Sequence, residues 1–311
     1  MKMNRRRFLR VSAAGAAAAG AATLLVNSNW LFAEIYPGDT KKIFAKCGAC
    51  SQTFFCLLNR EFGHPKKTEE LASDPLAGGL MNSQHQCGML WGSALAAGAE
   101  SFRRFNDSNQ AINKAITSTQ NIVESFSKRA KTVNCRDLIG FDFSNKFNEV
   151  KLMLNSLPGG FSNVICMNLA EKWAPEAIQS AKEGLTSKQT DLPQLPLSCA
   201  SEVAKKMGAN DEEMVMVSGL AGGIGLSGHA CGALGAAIWI SSLEWCKKHP
   251  GKSGYSNPNL KEILKAFNDE TGSEFLCHKI SGQCFKTIKD HTEFVKNGGC
   301  DKLINVLAHS N

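Results

Sequence analysis

Gly78-Gly-Leu-Met-Asn-Ser-Gln-His-Gln-Cys-Gly-Met-Leu90 returns 144 residues later as Gly222-Gly-Ile-Gly-Leu-Ser-Gly-His-Ala-Cys-Gly-Ala-Leu234. The double glycine, Ser83, His85, Cys87, Gly88 and Leu90 correspond to the second double glycine, Ser227, His229, Cys231, Gly232 and Leu234. A glycine-rich stretch closing on Cys-Gly is therefore one unit used twice, and the rest of the chain is read around it.

The repeat extends outward. Downstream of the first stretch, Cys135 opens a C-x4-G segment ending at Gly140; downstream of the second, Cys277 opens another ending at Gly282. The separations from the Cys-Gly cysteines are 48 and 46 residues. Cys166, ahead of Asn168-Leu169, pairs with Cys300, ahead of Lys302-Leu303, and upstream Cys50-Ser51 pairs with Cys199-Ala200-Ser201. Two quartets result: Cys50, Cys87, Cys135 and Cys166, then Cys199, Cys231, Cys277 and Cys300. Cys47, Cys56, Cys246 and Cys284 have no counterpart and read as bystanders.

Apolar residues recur at three- and four-residue steps and almost nowhere alternate, which predicts an all-α fold. Asp39 and Thr40 can cap a helix carrying Ile43, Phe44, Cys47, Cys50, Phe54 and Leu57, with Cys47 and Cys50 on one face and Cys56 off it. Asp107 to Lys131 reads as an amphipathic helix with Ile112, Ile116, Val123 and Phe126 inward. A helix from Cys199 to about Met207, an apolar one over Ala233 to Trp245, and one opened by Asn257-Pro258 and running to Phe267 follow. Gly88, Gly92, Ala96 and Ala97 allow another helix close to the backbone. The polar, proline-bearing stretch 185–197 marks a linker, giving similar helical units over 34–184 and 198–311.

Charge excludes one class of function. Five of the 35 basic residues lie in the first ten positions, and the remainder nearly balance the 28 acids, so a nucleic-acid partner is not expected. Asn4-Arg5-Arg6-Arg7-Phe8-Leu9-Arg10 resembles a twin-arginine export signal, followed by a short run from Val11 to Val26 and a cleavage position after Ala33. That run is short for a membrane span, so 1–33 reads as a signal peptide, and membrane association would need an uncleaved N-terminus. The resemblance implies export to the periplasm or the outer face of the cytoplasmic membrane, in a class of substrates that cross already folded.

Gly223-Ile-Gly225-Leu-Ser-Gly228 matches G-x-G-x-x-G after the strand-like Met214 to Val217, a dinucleotide-binding pattern. The first copy has Met81 and Gln84 where the second has Gly225 and Gly228, and no acid stands about 20 residues on, so this reading is set aside.

One cysteine, a Cys-Gly-Ala-x-x-Gly segment and two further single cysteines resemble the C-GCAxxG-C-C family of redox-active proteins, here as a tandem duplication. Met89 replaces the motif alanine in the first copy, which keeps Gly92; the second keeps Ala233 but has Ala236 in the last glycine position, beside Gly235. The resemblance implies redox or metal chemistry. Four thiolates suit an iron-sulfur cluster or another thiolate-bound metal, with all eight quartet cysteines as ligands and His85 and His229 as supplementary ones. Each ligand would come from a different element, unlike the tight C-x2-C runs of ferredoxins. Exchange-active thiols of an oxidoreductase and disulfides that only staple an interaction domain stay open beside it. The expected role is electron or thiol transfer with a redox protein partner.

Overall fold

The computed structural model describes residues 39–140, 161–188 and 192–310; the export segment 1–33 and residues 189–191 of the expected linker lie outside them. Among the described residues every regular element is helical, and the only strand-like contacts are the isolated bridges Gln86 with Asn134 and Ala230 with Leu276. In the first copy α1 (Thr40–Cys47), α2 (Cys50–Glu61) and α3 (Lys67–Ala72) precede the glycine-rich stretch, and α4 (Gly88–Arg104), α5 (Ser108–Ala130), α6 (Cys135–Ile139) and α7 (Phe161–Thr186) follow it. In the second, α8 (Cys199–Lys206) and α9 (Asp211–Ser218) precede, and α10 (Gly232–Lys248), α11 (Leu260–Thr271), α12 (Cys277–Ser281), α13 (Ile288–Lys296) and α14 (Asp301–Ala308) follow. No described helix is long and apolar enough to cross a membrane.

Local signals account for most boundaries. Asp107 caps α5 by accepting from the Asn109 amide at 2.9 Å, and Ile116, Val123 and Phe126 are buried while Ile112 is partly so. Asn210 and Glu213 form a reciprocal capping box at the start of α9. That box makes helical the stretch Met214 to Val217, which looks strand-like in isolation. Two further expectations are corrected. Gly48 takes a left-handed conformation (φ 75°) and ends α1, so Cys47 and Cys50 stand on two helices instead of one face of a single helix. The start opened by Asn257-Pro258 lies further out than expected: Asn257 Oδ1 accepts from the Asn259 N–H at 3.1 Å, its amide donates to Ser241 Oγ at 2.9 Å inside the core, and α11 itself begins at Leu260 and continues past Phe267 to Thr271.

The two copies share one core. α4 and α10, each 17 residues long, are buried on nearly every side, as helices apolar around their whole circumference must be. The packing across the copies is reciprocal. α4 lies on α9, where a side chain at Gly98 would strike the Met216 backbone, and α10 lies on α3, where Trp239 Nε1 donates to the Glu69 carbonyl at 3.2 Å. Because α3 and α9 occupy equivalent places in the repeat, each copy's pre-module helix supports the other's central helix, the arrangement of a two-fold pair. Trp91 completes the seam with its ring against Gly235.

Candidate functional site

Both glycine-rich stretches fold as the same unusual turn. Residues 78–82 all have positive φ (64°, 74°, 74°, 49° and 59°), as do 222–226 (58°, 83°, 57°, 59° and 62°). Isolated left-handed residues are common in turns, but five in a row make a left-handed helical turn, costing about 1–2 kcal/mol for each residue with a side chain. In the first copy Leu80, Met81, Asn82 and Gln84 all bear that cost. Hydrogen bonds repeat position for position: Met81 to Pro75 and Gly225 to Gly219, Asn82 to Ala77 and Leu226 to Ala221, Gln84 to Gly78 and Gly228 to Gly222. A strained conformation built identically twice marks a constrained site.

What the turn positions is sulfur. The N–H of Gly78, with those of Ser51 and Cys50 itself, points at Cys50 Sγ at the first turn of α2. The N–H of Gly222, with those of Ala200 and Cys199, does the same for Cys199 on α8. After each turn the chain makes a bridge-like contact. Cys87 N–H donates to the Val133 carbonyl at 2.8 Å and Cys135 N–H to the His85 carbonyl at 2.7 Å; Cys231 donates to Phe275 at 2.9 Å and Cys277 to His229 at 2.5 Å. These bonds hold the N-cap cysteine of the central helix beside the first residue of a short helix, α6 or α12.

The fourth thiols come from α7 (Cys166) and from the N-cap of α14 (Cys300). Cys87 has Cys50, Cys135 and Cys166 as electrostatic neighbours, and Cys277 has Cys231, Cys199 and Cys300, so the fold groups the thiols in fours. All twelve cysteines are free thiols in the structure.

The two groups differ electrostatically. Cys87 donates its S–H to Cys50, which, helped by the three amides and against burial, holds the Cys50 thiol below its ordinary range; the same bond and burial push Cys87 well up. Cys199 has the amides without such a thiol donor, and burial raises it. Burial pushes Cys166, Cys231 and Cys300 up to about 12 and drives Cys135 and Cys277 upward as well.

His85 and His229 serve their sites through the main chain, as acceptors for Cys135 and Cys277. The His85 ring stacks on Phe275 of the other copy, centroids 4.2 Å apart, and burial lowers the pKa of both histidines. No group of three or more His, Cys, Asp or Glu among the described residues is drawn together closely enough to hold a single metal ion.

Two residues escape sequence reasoning. Tyr255, from the α10–α11 connection of the second copy, reaches the first quartet: its hydroxyl lies 3.4 Å from the Ala77 carbonyl, and burial of that hydroxyl, with Cys50, Asp74 and Cys135 nearby, raises its pKa. Asp74, beneath it, accepts from Ser253 Oγ at 2.8 Å, and burial lifts its carboxyl to about 7. The available signal is length: the connection spans 249–259 here and only 105–107 in the first copy.

Residues 49–179 and 197–310 each match the family described as "Putative redox-active protein (C_GCAxxG_C_C)". The chain belongs to this family. In this C-GCAxxG-C-C protein the two matched regions are the two copies, and a redox role follows at that general level. No curated protein and no solved structure shows significant similarity to the chain.

Proposed function

We propose that this is an exported electron-transfer protein in which each cysteine quartet holds an iron-sulfur cluster and exchanges electrons with a redox protein partner. The observation that supports it is the convergence, twice, of four thiols from four separate elements, with peptide N–H groups aimed at the first sulfur. Soft, buried thiolates are the donors such a group requires. A single tetrahedral ion would need its sulfurs about 3.8 Å apart, given metal–sulfur bonds of about 2.3 Å. A cluster of several irons takes four thiolates from a wider shell, which suits the looser grouping seen here.

When bound, the cluster would supply one-electron chemistry. The chain's own contribution is to hold and tune the ligands. The amides of Gly78, Ser51 and Cys50, and of Gly222, Ala200 and Cys199, stabilise charge on sulfur, which raises a cluster's potential. Tyr255 stands beside the first quartet alone, so the sites would differ in potential. Export in a folded state through the twin-arginine resemblance at 1–33 suits a protein loaded before it crosses.

A second reading, thiol-disulfide exchange, draws on the Cys87 to Cys50 hydrogen bond, because a stabilised thiolate beside a resolving thiol is what exchange needs. Protein purified without oxygen decides between them. Iron and sulfide with a broad visible absorbance and an EPR signal, lost by half in Cys87→Ser and by half in Cys231→Ser, support the cluster. A colourless, iron-free protein whose Cys50 exchanges rapidly with a small disulfide overturns it in favour of exchange.

A further inference from the structure

Cys47 and Cys56 fall outside both quartets and have no partner in the repeat. The break at Gly48 changes their standing. Gly48 closes α1 by donating to the Phe44 carbonyl at 2.9 Å, Ala49 is extended, and α2 then departs in a new direction. The reversal lays the end of α1 along α2, so that Cys47 and Cys56, nine residues apart, hydrogen-bond thiol to thiol. Gln52 fixes the Cys47 backbone: with its amide oriented to pair donors with acceptors, it donates to the Cys47 carbonyl and to Asp74 Oδ1, both at 2.9 Å.

The surroundings are those of a working thiol pair. Cys56 is buried at 1% exposure, whereas Cys47 is partly open to solvent, so one sulfur is shielded and the other reachable. Arg60 lies one turn beyond Cys56 on the same face of α2, its Nε buried and making no hydrogen bond, and the Lys46 ammonium also lies close enough to feel both sulfurs. Cys56 donates its S–H to Cys47, and that bond, burial and the Glu70 carboxylate hold its thiol well up against the nearby Arg60, so Cys56 is the protonated, resolving member of the pair.

We propose that Cys47 and Cys56 form a further redox site separate from both quartets, a dithiol that closes reversibly to a disulfide by exchange with a protein or small-molecule disulfide. Cys47, as thiolate, attacks one sulfur of the partner's S–S bond; that bond breaks, and a mixed disulfide forms while the partner's other sulfur leaves as a thiolate. Cys56 then gives up its proton and attacks Cys47 Sγ, the mixed disulfide breaks, and the second partner sulfur leaves. The pair has lost two electrons and two protons, and the partner, having gained both, is a dithiol. The new bond ties the end of α1 to α2, the helix that begins with Cys50.

The full chain is equilibrated without oxygen in buffers of reduced and oxidised glutathione, trapped with an alkylating agent, and mapped by mass spectrometry. The expected result is a peptide pair linked Cys47 to Cys56 that loses two hydrogens, its oxidised-to-reduced ratio changing tenfold for about every 30 mV of buffer potential. Cys56→Ser should instead accumulate glutathione on Cys47. Two outcomes overturn the proposal: both thiols stay alkylated in buffers that fully oxidise a control dithiol, or Cys47 links to Cys50. The wild-type mapping stands even where the variant fails to fold. The quartet reading is tested by iron and sulfide, so either proposal can fail alone.

Discussion

Gly88 lies directly against the sulfur of Cys50: a Cβ at residue 88 would collide with Cys50 Sγ and come within 3.0 Å of the Ala77 Cα. The glycine of the first Cys-Gly pair is thus a spacer between the central helix and the first thiol. Gly88→Ala is expected to displace Cys50 at an overpacking cost of about 1–3 kcal/mol and to abolish the first site. Iron per chain should fall by half while the second site keeps its full signal.

Tyr255 makes the two sites inequivalent. Tyr255 is 40% exposed, and its hydroxyl lies near Cys50 and Cys135, so Tyr255→Ala opens the solvent side of the first quartet without touching the second. Alkylation of Cys50 in the metal-free protein should speed up about tenfold, equivalent to about 1.4 kcal/mol of lost protection, and Cys199 should be unaffected. Equal acceleration at both would show general loosening instead.

His291 should make the protein acid-sensitive. It is 1% exposed, contacts the Leu197 carbonyl through Nδ1 at 3.2 Å, and meets the Phe285 ring edge-on; burial lowers its pKa to about 4. The folded state therefore prefers neutral imidazole. Stability is fully present above about pH 6.5 and falls as pH drops from there to about 4, by about 3 kcal/mol in all. Urea midpoints measured across that window should lose this slope in His291→Gln.

Asp74 acts in the opposite direction. Its folded pKa is raised to about 7, so the folded state binds the proton more tightly than the unfolded chain does. Stability is fully present below the usual carboxylate range, declines as pH rises from about 4 to about 7, and is level above that, a loss of about 4 kcal/mol at most. Asp74→Asn should flatten this limb in a urea series and leave the His291 limb intact.

Much of the fold was legible because it rests on local pattern: Asp107 capping α5, the three- and four-residue recurrence of Ile116, Val123 and Phe126, and the apolar run of α10 each name their own helix. The repeat carried more, since counterparts 134 to 149 residues apart sorted eight cysteines from twelve without any geometry. What stayed hidden depends on contacts distant in sequence. Cys47 and Cys56 meet only because one glycine takes positive φ and reverses the chain. Tyr255 reaches the first quartet only because the copies pack reciprocally. Met214 to Val217 misleads because its β-branched residues outweigh, in a short window, the capping box that opens the helix.

The two glycine-rich turns wind in the mirror sense of the α-helices among the described residues. Chirality, more than size or polarity, therefore governs what these positions tolerate. A chain prepared by chemical synthesis with D-residues at 80, 81 and 82 should hold the first turn without strain, whereas the same inversion one helix later, inside α4, would destroy the element that carries the site.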